Sequence, residues 1–192
     1  MAIFNRNDAI KGYAESAKEM RLNINDKYRS KDSKKNDKRL LQRDLLMLQL
    51  LHTLPESVTL SGAVTASSKT KMNAGAVAEM VFNYHHKSTK NERLAISGGD
   101  YDGMNGCISY EVKLCVNGSC YNTPLLEEKT VYLITADGVF FIPKAQSMAM
   151  VNAKGTFPYR KNDILSYEGV RLVKAMTSAL GYTTEEEEET EE

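Results

Sequence analysis

Cys107-Ile-Ser-Tyr-Glu-Val-Lys-Leu-Cys-Val116 alternates without a break. In an extended chain, Ile108, Tyr110, Val112, Leu114 and Val116 share one face, and Cys107, Ser109, Glu111, Lys113 and Cys115 share the other. The first face is apolar and is expected to meet a core, which puts Glu111 and Lys113 side by side on the second. Asn117-Gly118 follows, the strongest short hairpin signal. Thr130-Val-Tyr-Leu-Ile-Thr135 and Val139-Phe-Phe-Ile142 read as two further strands joined at Asp137-Gly138. The middle of the chain is therefore expected to be a meander of mostly antiparallel strands.

Outward from this centre the period changes to that of helices. Residues 7–29 carry Ile10, Tyr13, Ala14, Ala17, Met20, Ile24 and Tyr28 at roughly helical spacing, with Asn7 or Asp8 as cap. Residues 30–39 are polar and basic, a loop or a solvated helix start. A second helix is expected over about 37–53, stopped by Pro55. Its leucines, from Leu40 to Leu54, cover most of its circumference, so it is either a central core helix or a dimer seam. A weak strand is expected around 58–64. Asn73 then caps an amphipathic helix with Val77, Met80, Val81 and Tyr84 on one stripe and Glu79 off it. His85 and His86 close that helix as surface residues, since neighbours on a helix point apart. A last helix is expected over about 163–180, ended by Gly181.

This order implies an α+β fold, a mixed, mostly antiparallel central sheet flanked by helices, with an N-terminal helical extension. The expected divisions are residues 1–60 for the extension, 61–182 for the α+β domain and 183–192 for a disordered acidic tail.

Composition bounds the function. The chain has 192 residues with no Trp and four Pro. No apolar run is long enough to cross a bilayer and no signal peptide opens the chain, so a cytoplasmic protein is expected. The three cysteines lack zinc-ligand spacing and read as free thiols. Net charge is zero, but residues 183–192 hold seven Glu, leaving +7 on the remainder. Lys31, Lys34, Lys35, Lys38, Arg39 and Arg43 form a basic stretch that is either a solvated charged loop or a contact for DNA phosphates.

The chemistry lies around Glu111-Val-Lys113. With a four-residue turn over 103–106, Asp102 falls opposite Cys107 and Asp100 opposite Ser109, both on the Glu111 face. Asp100 is then the nearer acid and Asp102 its rival, and a turn one residue different reverses the faces. Two carboxylates at this range hold together best around a divalent cation, and oxygen-only ligands suit Mg²⁺ or Mn²⁺. An adjacent lysine positions or deprotonates a water, or offsets charge on a phosphate.

Gly75-Ala-Val-Ala-Glu79, Ser97-Gly-Gly-Asp100 and Tyr110-Glu-Val-Lys113 resemble the layout of the PD-(D/E)xK nuclease superfamily, in particular Holliday junction resolvases and phage-type nucleases. The match spans about residues 73–116. The resemblance implies that Glu79, Asp100, Glu111 and Lys113 are catalytic, with Glu79 as helix acid, Asp100 and Glu111 as metal ligands and Lys113 as catalytic lysine. It implies a metal-dependent endonuclease from a phage or other mobile element, with DNA as its partner. The strand expected after Asn117-Gly118 departs from the family, which usually places a helix there. The other reading is a non-catalytic interaction protein that forms a homodimer or docks on a partner through its leucine-rich helix.

Overall fold

The computed structural model describes residues 2–60, 73–86, 102–105, 107–117, 129–151 and 155–183. Strand β1 (Ala2–Asn5) pairs antiparallel with β2 (Ser57–Leu60). Between them, helices α1 (Arg6–Asn25) and α2 (Lys31–His52) pack along each other. Asn5, not Asn7 or Asp8, caps α1, its Oδ1 accepting from the N–H groups of both. The helix stops short of residue 29, and Tyr28 is exposed in the turn that follows. Ser30 caps α2 by accepting the Ser33 N–H, so the basic stretch is the helix start rather than a loop.

Of the α2 leucine run, Leu46, Leu50, Leu51 and the following Leu54 are buried together with Met47, while Leu45 is exposed. They pack with Phe4 and Val58 and with residues of the central sheet in one cluster. The helix is thus a core element, and the N-terminal segment shares its core with the rest of the fold. Helix α3 (Ala74–His85) is capped by Asn73 as its sequence demands. Its burial is broader than one stripe: Ala78, Phe82 and Asn83 are buried beside Val77, Met80 and Val81, and Tyr84 is exposed. The reason is that α3 touches both α2 and the sheet. His86 correspondingly lies among the rings of Phe82, Tyr110 and Tyr132 rather than on the surface.

The sheet comprises β3 (Gly103–Asn105), β4 (Ile108–Leu114), β5 (Thr130–Thr135), β6 (Gly138–Ile142) and β7 (Arg171–Leu172), in that spatial order. Every pairing is antiparallel except β4 with β5, which is parallel. The fold is α+β, as expected. The parallel pair corrects the plain meander: Asn117 takes the left-handed conformation favoured in hairpin turns, at φ 55°, and β4 and β5 run parallel, so these two strands are not the arms of one tight hairpin. The strand expected directly after Asn117-Gly118 falls outside the described residues.

Three short helices complete the fold: α4 (Lys144–Met150), α5 (Lys161–Leu165) and α6 (Lys174–Ala179). The single helix expected over 163–180 is therefore broken. Gly169 turns the chain at φ +72°, and Arg171–Leu172 pairs with Phe140–Phe141 between two helical turns. Both faces of the sheet are covered. Tyr110, Val112, Tyr132 and Ile134 meet α2, α3 and α6 on one side. Val131, Leu133, Phe140 and Ile142 meet Met150, Phe157 and Ile164 on the other. Among the described residues no helix is long and apolar enough to cross a membrane. Glu185–Glu192, the acidic tail, lie outside the described residues.

Candidate active site

The β3–β4 pairing sets the geometry. Gly103 lies opposite Tyr110 and Asn105 opposite Ile108, which leaves only two residues in the turn. The turn is thus 106–107 rather than 103–106, and each residue's partner moves by four positions. An even slip keeps each residue on its face. It also brings Asp102 beside Glu111. Asp100 lies outside the described residues.

Asp102 is fixed from several sides. Its N–H donates to the Tyr110 carbonyl at 3.0 Å. Its carbonyl accepts from Asn83 Nδ2 at 3.0 Å, and Asn83 Oδ1 accepts from the Tyr110 hydroxyl at 2.9 Å. Its own Oδ2 accepts the Val112 N–H at 2.6 Å, closing the β4 edge where β3 has ended. Asn83 comes from α3, so the helix that carries Glu79 also anchors Asp102. Gly103 is required beside it, because an added Cβ would lie 2.0 Å from the Tyr110 hydroxyl.

Glu111 is buried, and both its carboxylate oxygens are engaged. Lys113 Nζ donates to Oε2 at 2.8 Å and Lys129 Nζ to Oε1 at 2.9 Å. Lys129 is itself buried just before β5. Its place could not be read from the sequence, because it depends on the parallel β4–β5 register, which sets Glu111 beside Val131.

The electrostatics follow from burial and proximity. Burial pushes the Glu79 carboxyl up to about 9, reinforced by the charge of Asp102 and a hydrogen bond with it. Burial likewise raises Asp102 to about 6, with the charge of Glu111 adding to it and the Val112 N–H opposing. Burial works in the same direction on Glu111, but the hydrogen bonds and charges of Lys113 and Lys129 outweigh it and hold its pKa below the usual value. For Lys113, burial works downward and is outweighed by Glu111, Asp102 and Glu79, so its pKa is raised. Lys113 is therefore an ammonium at neutral pH, which suits charge stabilisation and does not suit a general base.

Of the residues singled out from sequence, Glu79, Asp102, Glu111 and Lys113 come together at the β3–β4 edge. The basic residues lie apart from them, on α2. Among the described residues, no three His, Cys, Asp or Glu side chains form a ready-made metal cage. With Glu111 held by two lysines, the acids with the least cationic compensation are Glu79 and Asp102. Cys107 is exposed and Cys115 buried, neither forms a disulfide among the described residues, and Cys120 lies outside them. No protein-family model, curated protein or solved structure matches this chain.

Proposed function

We propose that the chain is a metal-dependent endonuclease that hydrolyses DNA phosphodiester bonds. The observation that carries this reading is the position of Asp102 beside Glu111, with Glu79 from α3 and Lys113 from β4 converging on the pair. Three hard oxygen ligands and an ammonium on a rigid sheet edge suit phosphoryl chemistry better than nucleophilic or redox chemistry.

The donor set fits Mg²⁺ or Mn²⁺ on one observation in particular. Glu79 and Asp102 resist ionising together, and a hard dication removes that resistance. Glu79 and Asp102 would hold the ion, and Glu111 would join them only once Lys113 or Lys129 gives up its bond to it. When bound, the ion would polarise a phosphoryl oxygen and acidify a water. Asp102 keeps its orientation throughout through the Val112 N–H and Asn83. Lys113, freed from Glu111, presents its ammonium to the charge that builds on the phosphate.

The test is nicking of supercoiled plasmid in Mg²⁺ or Mn²⁺. Wild type is expected to cut, with Lys113→Ala and Asp102→Asn each about 10²-fold slower or worse. A wild type that nicks no DNA, or a Lys113→Ala variant that cuts as well as wild type, ends the reading.

A further inference from the structure

We propose that the outer face of α2 is a docking surface for the phosphate backbone of DNA, which it leads toward β4. Its direction rests on the nuclease reading, whereas the binding itself does not. Lys31, Lys35, Lys38 and Gln42 follow one another at intervals of four, three and four residues, which is one face of the helix. Asp32, Asn36 and Arg39 lie beside this face and are exposed as well, whereas the opposite side of α2 is occupied. Asp44 faces α1, where it accepts from Ser16, and Leu46, Met47, Leu50 and Leu51 enter the core.

Lys31, Lys35 and Lys38 are exposed, and among the described residues none of them forms an ion pair with a carboxylate. The other basic residues of this stretch are less available. Lys34 is half-buried, Arg39 donates to Asn36, and Arg43 is committed to Asp44 through Nε and Nη2. The surface is thus narrower than the stretch of six cations in the sequence.

The stripe does not end in open solvent. At its far end Asn117 Nδ2 donates to Gln42 Oε1, and Asn117 lies three residues past the end of β4. The Gln42 end of the stripe therefore meets the segment that leaves the C-terminal end of the strand carrying Glu111 and Lys113. From Lys31 to Lys38 the helix rises about 10 Å. Duplex DNA presents roughly one charge per 1.7 Å of axis, so three ammonium groups spaced in this way each meet a phosphate. Lysines without a planar fork suit sequence-independent phosphate contact, which is what a backbone guide needs. An acidic protein surface would be the competing occupant. It lacks the regular charge spacing that the helix face matches.

The experiment is fluorescence anisotropy of a short random-sequence DNA duplex with the full chain in EDTA, repeated across salt concentrations. The triple variant Lys31→Gln/Lys35→Gln/Lys38→Gln is expected to bind on the order of tenfold more weakly at low salt and to lower the slope of log affinity against log salt by about 3. The control Lys11→Gln/Lys18→Gln, on exposed positions of α1, is expected to leave the slope unchanged. Thermal midpoints equal to wild type show that neither variant has lost its fold. The inference is overturned if wild type does not bind the duplex at low salt, if the α2 variant keeps the wild-type slope, or if the α1 control lowers it as much per charge. Because EDTA removes cleavage, the two readings fail separately. A changed slope without nicking supports the surface and sinks the nuclease, and nicking with an unchanged slope does the reverse.

Discussion

Two of the clusters that bury carboxylates among the described residues balance their charge differently. Between α1 and α2, Asp44 is fully buried. It accepts from Ser16 Oγ at 2.6 Å and from Arg43 Nε and Nη2 at 2.9 and 2.7 Å. One anion meets one cation, and Tyr13 beside them stays a neutral phenol, burial pushing it up to about 12. At the β3–β4 edge, three carboxylates, Glu79, Asp102 and Glu111, share two lysines. The first cluster is complete as it stands and reads as a fastening between helices. The second carries an excess acid, which it accommodates by keeping a proton on Glu79. Burial alone does not separate a structural cluster from a functional one here, whereas the unmatched charge does.

The largest effect is expected where the match is complete. Asp44→Ala leaves Arg43 and the Ser16 hydroxyl without their acceptor; Arg43 is partly solvated, so the three lost hydrogen bonds together cost about 3 kcal/mol. Chemical denaturation of the variant measures it. A loss under about 1 kcal/mol would mean that water replaces the carboxylate readily and that the α1–α2 seam is not fastened there.

The unmatched cluster should respond to cations, where the matched one should not. Mn²⁺ at one hundred times its dissociation constant is expected to raise stability by about 2.7 kcal/mol through binding to the folded chain alone. The gain should disappear in Asp102→Asn, which keeps an acceptor for the Val112 N–H while removing the charge, and should persist in Asp44→Ala. Thermal melts with and without Mn²⁺ decide it. An equal gain in wild type and Asp102→Asn would place the ion elsewhere.

The residues of this edge were legible as types and faces more than as partners. The alternation of Cys107 to Val116 fixed which side chains Glu111 accompanies, because period two is a property of the strand alone. The partner acid depended on where the turn is centred, which sequence constrains weakly: a turn at 106–107 in place of 103–106 brought Asp102 beside Glu111. Asn117 illustrates the same limit. Its left-handed backbone was readable from Asn-Gly, since that is local chemistry. That β4 pairs in parallel with β5 is non-local, and no turn signal reports it. Lys129 was lost with that pairing. The break at Gly169 was hidden because the apolar residues from Ile164 to Leu180 fit helical spacing even though the backbone interrupts it. Asn73 and the buried half of α2 were read correctly, because a cap and a run of leucines act through their immediate surroundings.

The smallest effect near pH 4, and the one that sharpens the comparison most, is Glu79→Gln. The Glu79 carboxyl has an ordinary value of 4.5 and is raised to about 9 in the fold. Below 4.5 the folded and unfolded chains both hold the proton, so the carboxyl imposes no pH-dependent cost. As pH rises from 4.5 toward 9, the unfolded chain loses its proton and the folded chain keeps it, so this group's contribution to stability falls. Asp102, raised to about 6, acts in the same sense over a narrower window. Glu111, held below its usual value by its lysines, acts in the opposite sense: its contribution is present above the unfolded value and is lost as pH falls through the folded one. Glutamine mimics the protonated acid at Glu79 and cannot ionise. The variant should therefore match wild type within about 0.5 kcal/mol near pH 4 and become progressively the more stable of the two toward pH 9. Denaturation midpoints across that range measure the divergence. Parallel curves would mean that Glu79 is already ionised at neutral pH, and that the sheet edge is as fully matched as the α1–α2 seam.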